Sequence, residues 1–215
     1  MRNRFLSLVF IVFLAGAGAC QTTTARRVRV PDNPSPAPQL RLAPTVEKVV
    51  NAAHAQTEVT RSYDPAYVTL AYPNGDVPRA SGVCTDVVVR AFRDGAGVDL
   101  QKEVHEDMAR NFSLYPKKWG LKKPDANIDH RRVPNLMKLF ARRDKALPVT
   151  DKPADYAPGD IVAWDLGGGL LHIGLVSSEW AADTGRYKIV HNIGAGANVE
   201  DRLFEWAIIG HYRYF

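Results

Sequence analysis

Cysteine is scarce in this chain: 215 residues contain two, Cys20 and Cys84. That is too few for a disulfide scaffold, and the one possible bridge, Cys20 to Cys84, would tie a tail to the start of a helix. A second long apolar run is missing, so nothing beyond the N-terminal leader reads as a membrane span. Internal repeats and a Gly-rich phosphate loop are also missing, which excludes a solenoid and a P-loop nucleotide site. Nor does one sign of charge dominate. The formal charge is +5, and it falls to +3 if Arg2 and Arg4 leave with the leader. So mild an excess suits an anionic polymer such as a cell wall better than nucleic acid, which is not an expected partner.

The N-terminus is unusual in composition. Arg2 and Arg4 precede an apolar run from Phe5 to Leu14, and small residues from Ala15 to Ala19 lead into Cys20, the layout of a secretory signal over residues 1–19. Ala17-Gly18-Ala19 before Cys20 also resembles a bacterial lipobox, with Leu14 further upstream than usual. The expectation is a lipidated Cys20, and with Gln21 rather than Asp after it, an outer-membrane lipoprotein facing the periplasm. Two acyl chains at one cysteine make attachment stable, because each buried methylene contributes roughly 0.8 kcal/mol. Ordinary cleavage beside an incidental cysteine is the alternative. Residues 20–43 are Thr-, Arg- and Pro-rich and read as a disordered tether, leaving 44–215 as one folded domain.

Within that domain, helix signals come first. Pro44 with Val46, Val49, Val50 and Ala53 predicts a helix; Val87, Val88, Ala91 and Phe92 predict another, beginning near Cys84 and ending at Gly95. Asp99 caps a third with Val104, Met108 and Phe112 in one stripe, and Pro134 opens a fourth carrying Leu136, Leu139 and Phe140. From Pro158 the pattern changes to short apolar runs. Ile161–Trp164, Leu170–Ser177, Tyr187–His191 and Ile208–Phe215 read as strands, with turns at Gly167-Gly168-Gly169 and Asp183-Thr184-Gly185. Helices first and strands later predict an α+β domain with N-terminal helices packed on a C-terminal antiparallel sheet.

Cys84 is then a lone thiol, exported and placed at a helix start. A helix N-terminus and a nearby imidazolium each favour the thiolate, and the backbone N–H groups there can also bind an oxyanion. The imidazole has a candidate in Leu171-His172-Ile173-Gly174-Leu175-Val176. Strict alternation puts the leucines and Ile173 on one face and His172 with Gly174 on the other. His191 ends the next strand and can orient His172, as can its neighbour Asn192. This is the order of nucleophile, base and orienting residue in a catalytic triad.

These residues resemble a known superfamily. Gly82-Val83-Cys84-Thr85-Asp86, Pro158-Gly159-Asp160-Ile161-Val162-Ala163-Trp164, His172-Ile173-Gly174-Leu175-Val176 and Ile189-Val190-His191 are similar, in order, to the motifs of the NlpC-like bacterial cell-wall cysteine peptidases and amidases. The resemblance implies a papain-like fold with Cys84 as nucleophile, His172 as base, His191 as the third residue and Tyr72 as a tyrosine that helps bind the oxyanion. Where that superfamily usually has Asp-Cys-Ser-Gly, this chain has Val83 before Cys84 and Thr85-Asp86 after it. The segment from Asp94 to Asp155 is also longer than usual, and its blocks 104–108 and 127–136 resemble those of an uncharacterised branch.

The other polar clusters have plainer readings. His105, Glu106 and Asp107 point about 100° apart on a helix and cannot converge on one ion, so a solvated face is expected and no metal or organic cofactor is implied. Asp129, His130, Arg131 and Arg132 suit capping and ion pairing, or a loop that reads a carboxylate-bearing peptide. Trp119 and Trp164 are expected in the core. The expected function is an envelope-anchored cysteine hydrolase that cleaves an amide bond in peptidoglycan stem peptides. An acyltransferase or deacylase on a lipid or protein substrate, and a non-catalytic wall-binding lipoprotein, remain open on sequence alone.

Overall fold

The computed structural model describes residues 36–215; the expected signal peptide, the Cys20 lipidation site and most of the tether lie outside them. Residues 36–43 have no regular secondary structure and are largely exposed. Proline then opens α1 (Pro44–Ala55), which buries Val49, Val50 and Ala53 as its spacing demands. α2 (Cys84–Ala96) follows a loop-rich stretch containing the two-residue strands β1 (Ser62–Tyr63) and β2 (Ser81–Gly82), which pair in parallel. Gly97, at φ 68°, caps α2, so the helix runs to Ala96, one residue beyond the expected stop. Gly95 has a different role: a Cβ there would lie 2.5 Å from Val49 Cα, so its bare backbone lets α1 and α2 approach.

Asp99 caps α3 (Leu100–Asn111) by accepting from the Gln101 N–H at 3.1 Å. Val104 and Met108 are buried, whereas Phe112 falls in a 3₁₀ turn beyond the helix and only half packs. α4 (Val133–Arg142) buries Leu136, Leu139 and Phe140. The sheet consists of β3 (Ala146–Leu147), β4 (Ile161–Asp165), β5 (Leu171–Ala181), β6 (Arg186–Asn192), β7 (Ala197–Glu200) and β8 (Ala207–Tyr212), in spatial order β3-β8-β4-β5-β6-β7, and every pair is antiparallel. The domain is therefore α+β, with four α-helices and a six-stranded antiparallel sheet. Among the described residues, no helix is long and apolar enough to cross a membrane.

Two apolar clusters flank the sheet. One joins Val49, Val87, Val88, Phe92 and Leu139 to Ile161, Ala163, Ile173 and Leu175, and includes Cys84. The other holds Val162, Trp164, Val176, Tyr187 and Ile189. β4 and β5 keep an unbroken register from Ile161↔Leu175 to Asp165↔Leu171, so the two-residue alternation of each strand supplies both clusters. Asp160 begins this unit. It is buried and accepts from the Ala157 N–H, from His211 Nε2 at 2.8 Å and from Arg213, tying the turn before β4 to the last strand.

Candidate active site

The loop before α2 sets the position of Cys84. Asp86 accepts the Val83 N–H at 2.7 Å, half of a capping box, and its carboxylate is held by a buried ion pair with Arg131 at 3.0 Å. Arg131 also donates to the carbonyls of Asp64 and Ala66, so the loop after β1 is fixed to the same node. Asn192 secures it from the other side by donating to the carbonyls of Ser62 and Gly82. Register pairing then sets Tyr63 opposite Gly82, two residues before the thiol.

Cys84 is a free thiol, 4 % exposed, on the floor of a cavity of about 360 Å³. Tyr63, Trp119, Arg132, Val133, Pro134 and Leu171 contribute to its walls. The N–H groups of Ile173 and Thr85 and the Tyr63 hydroxyl are close enough to act on the titration of the sulfur. Burial pushes the thiol up to about 11; the Ile173 N–H opposes this, Asp86 adds to it, and Thr85 and Tyr63 oppose it more weakly. The resting site thus holds a protonated thiol, contrary to the lowered pKa expected from a helix start and a nearby imidazole. Desolvation wins because no imidazolium shares the cavity.

His172 occupies its own surroundings on β5. Its ring stacks on Trp164 at 5.7 Å and lies edge-on to Trp206 at 5.9 Å. Nε2 is 2.8 Å from His191 Nδ1, and His191 Nε2 is 2.9 Å from Glu200 Oε2. His191 is the residue that touches His172, since Asn192 is spent on backbone carbonyls. Burial pushes His172 down to about 3, with His191 adding to the effect, so the imidazole is neutral. Among the described residues no hydrogen bond joins Cys84 to His172. His172 is absent from the cavity walls: Cys84 packs with Ile173 and Leu175 in one apolar cluster, whereas His172 is on the alternate face of β5, against Trp164 of the other.

Tyr72 is not part of this site. It is 43 % exposed and packs edge-on against His105 at 5.0 Å, while Tyr63 takes the place beside the sulfur. Of the block from 129 to 132, Arg131 and Arg132 line the cavity; Asp129 and His130 are buried and absent from its walls. Burial pushes Asp129 up to about 6 and His130 down to about 4. Trp119 is 38 % exposed and lies beneath the Arg132 guanidinium at 4.2 Å, so of the two tryptophans expected in the core only Trp164 is there. The helix face at 105–107 is less solvated than its sequence suggests, because Asp107 pairs with Arg142 at 2.7 Å and accepts from the Tyr115 hydroxyl at 2.7 Å. Sequence reasoning missed Tyr63 and Glu200. β1 is only two residues long, and the sole signal for β7 was alternation of Ala197 with Val199.

A family model described as "Domain of unknown function (DUF1287)" matches residues 50–214. The chain belongs to the DUF1287 family. A relative from Escherichia coli (strain K12), "Uncharacterized protein YijF", is 59 % identical over 167 residues, which cover 78 % of this chain and 80 % of that protein. The DUF1287 match runs from α1 through β8 and includes the thiol, the histidine pair, Tyr63 and Glu200.

Proposed function

We propose that this DUF1287 domain is a papain-like cysteine hydrolase of the NlpC-like kind, acting on an amide bond in peptidoglycan stem peptides. The observation that carries the reading is the free thiol at the start of α2, lining a cavity with Tyr63 and with the Ile173 and Thr85 N–H groups near it. Such donors suit the oxyanion of a tetrahedral intermediate. One residue along the strand begins an oriented relay, His172 to His191 to Glu200.

In this mechanism Cys84 Sγ attacks the carbonyl carbon and passes its proton to neutral His172. The imidazolium returns that proton to the leaving amine, forming a thioester. Water, deprotonated by His172, then releases the acid and restores the thiol. In the resting state, burial holds the proton on sulfur. Substrate binding has to bring the thiol and imidazole together from the two faces of β5, where mutual pairing would shift both pKa values towards transfer. The leader and Cys20 support export and lipid anchoring, with the domain facing the periplasm from the outer membrane. No cofactor is needed for this chemistry. Transfer of the acyl group to a nucleophile other than water would use the same steps.

Digestion of purified peptidoglycan with wild type, Cys84→Ala and His172→Ala, read by mass spectrometry, tests the reading. Wild type should release fragments cut at one amide bond, and neither variant should. The shielded thiol favours one competing reading, a wall-binding lipoprotein in which Cys84 only packs. That reading is supported instead if wild type sediments with peptidoglycan and leaves every bond intact.

A further inference from the structure

The cavity above Cys84 has a one-sided charge that the hydrolase reading does not use. Lys118, Arg131 and Arg132 line it, and no Asp or Glu does. Arg131 is fully occupied by Asp86 and by two backbone carbonyls. Arg132 differs. Among the described residues its guanidinium donates no side-chain hydrogen bond, and its nearest carboxylate oxygen, Asp129 Oδ1, is 3.9 Å away. Its flat face rests on Trp119, which leaves the N–H edges for an in-plane partner. Lys118 donates to the Gly169 carbonyl at 3.1 Å, in the loop entering β5, and keeps donors to spare. Val133, Pro134, Leu170 and Leu171 make much of the remaining wall apolar.

We infer that Arg132, stacked on Trp119 and assisted by Lys118, is a specificity site for a peptide carboxylate flanking the bond presented to Cys84. The inference rests on the hydrolase reading for what lies at Cys84, but the binding it describes requires no turnover. A planar carboxylate takes two parallel hydrogen bonds from a guanidinium edge, and the apolar walls lower the local dielectric and strengthen them. An amide in the same place would set an NH₂ group against two cations.

The test uses the full-length protein carrying Cys84→Ser, so that ligand is bound and not consumed. The probes are N-acetyl-Ala-Glu-Ala-amide and N-acetyl-Ala-Gln-Ala-amide, titrated by calorimetry at low ionic strength. The carboxylate peptide should bind about tenfold more tightly, in keeping with a charge-assisted bidentate contact. Arg132→Gln should abolish that preference, and Lys118→Gln, which gives up only an exposed bond to the Gly169 carbonyl, should reduce it. Equal affinities, no binding of either peptide, or a preference that survives both substitutions would overturn the inference. Failure of the hydrolase reading would look different, as an intact carboxylate preference in a protein whose wild type cleaves nothing.

Discussion

Tyr63 and Cys84 both line the cavity, and each has a testable behaviour. Tyr63→Phe removes one donor from the place where an oxyanion would form. It should lower kcat by about 10²-fold while barely moving the melting temperature, because the ring is partly exposed and stays in place. Steady-state kinetics beside a thermal melt would separate the two. The thiol itself, raised to about 11, should react slowly with iodoacetamide at neutral pH and faster only as pH approaches that value. A labelling midpoint below that of a free cysteine would contradict the resting geometry. The helix start at Cys84 and the strands that carry His172 and His191 were legible in the sequence, because a capped apolar stripe and alternating strands have local signatures. Tyr63 was not, since its place depends on a two-residue pairing with β2 and on the long-range node formed by Asp86, Arg131 and Asn192.

At the scale of elements, the α1–α2 contact holds the thiol-bearing helix against the sheet. Gly95→Ala would press a methyl group into the Val49 backbone, which has no flexible end to move aside. The expected cost is about 2–3 kcal/mol, or roughly 4–12 °C in melting temperature for a domain of this size. Thermal unfolding of the variant measures it. Periodicity located the four helices and the four longer strands, with boundary differences that have physical causes. α2 passes Gly95 because a helical glycine is tolerated where a neighbouring helix needs the space, and it stops at Gly97, which takes the left-handed conformation. β5 runs on to Ala181, beyond the expected Ser177, because its last residues pair with β6 across the Asp183-Thr184-Gly185 turn. β1, β2, β3 and β7 have two to four residues each, too few for a period to show, and tertiary pairing alone defines them.

For the whole molecule, two ion-paired carboxylates, Asp160 and Asp107, couple folding to pH. Burial alone would raise Asp160, but hydrogen bonds from His211, Arg213 and the Ala157 N–H outweigh it and hold the pKa below the usual carboxylate value. A depressed folded pKa means the stabilisation is present above about pH 4, the unfolded value, and is lost as pH falls through the folded one. Asp107 acts in the same sense: burial opposes it, and Arg142 and Tyr115 prevail. The melting temperature should therefore fall as pH drops from 5 to 3. Asp160→Asn should start lower and fall less steeply, and an unchanged slope would show that the Asp160 node does not carry the acid dependence.

The central claim is that Cys84 forms a covalent acyl intermediate. Acid quenching of the full-length protein during turnover of purified peptidoglycan, followed by proteolysis and mass spectrometry of the peptide that contains Cys84, tests it most directly. The account predicts a stem-peptide acyl mass on that peptide in wild type, removable by hydroxylamine, and none after Cys84→Ser. Amide cleavage with Cys84 unmodified in every quenched sample, or cleavage that persists in Cys84→Ser, would contradict it.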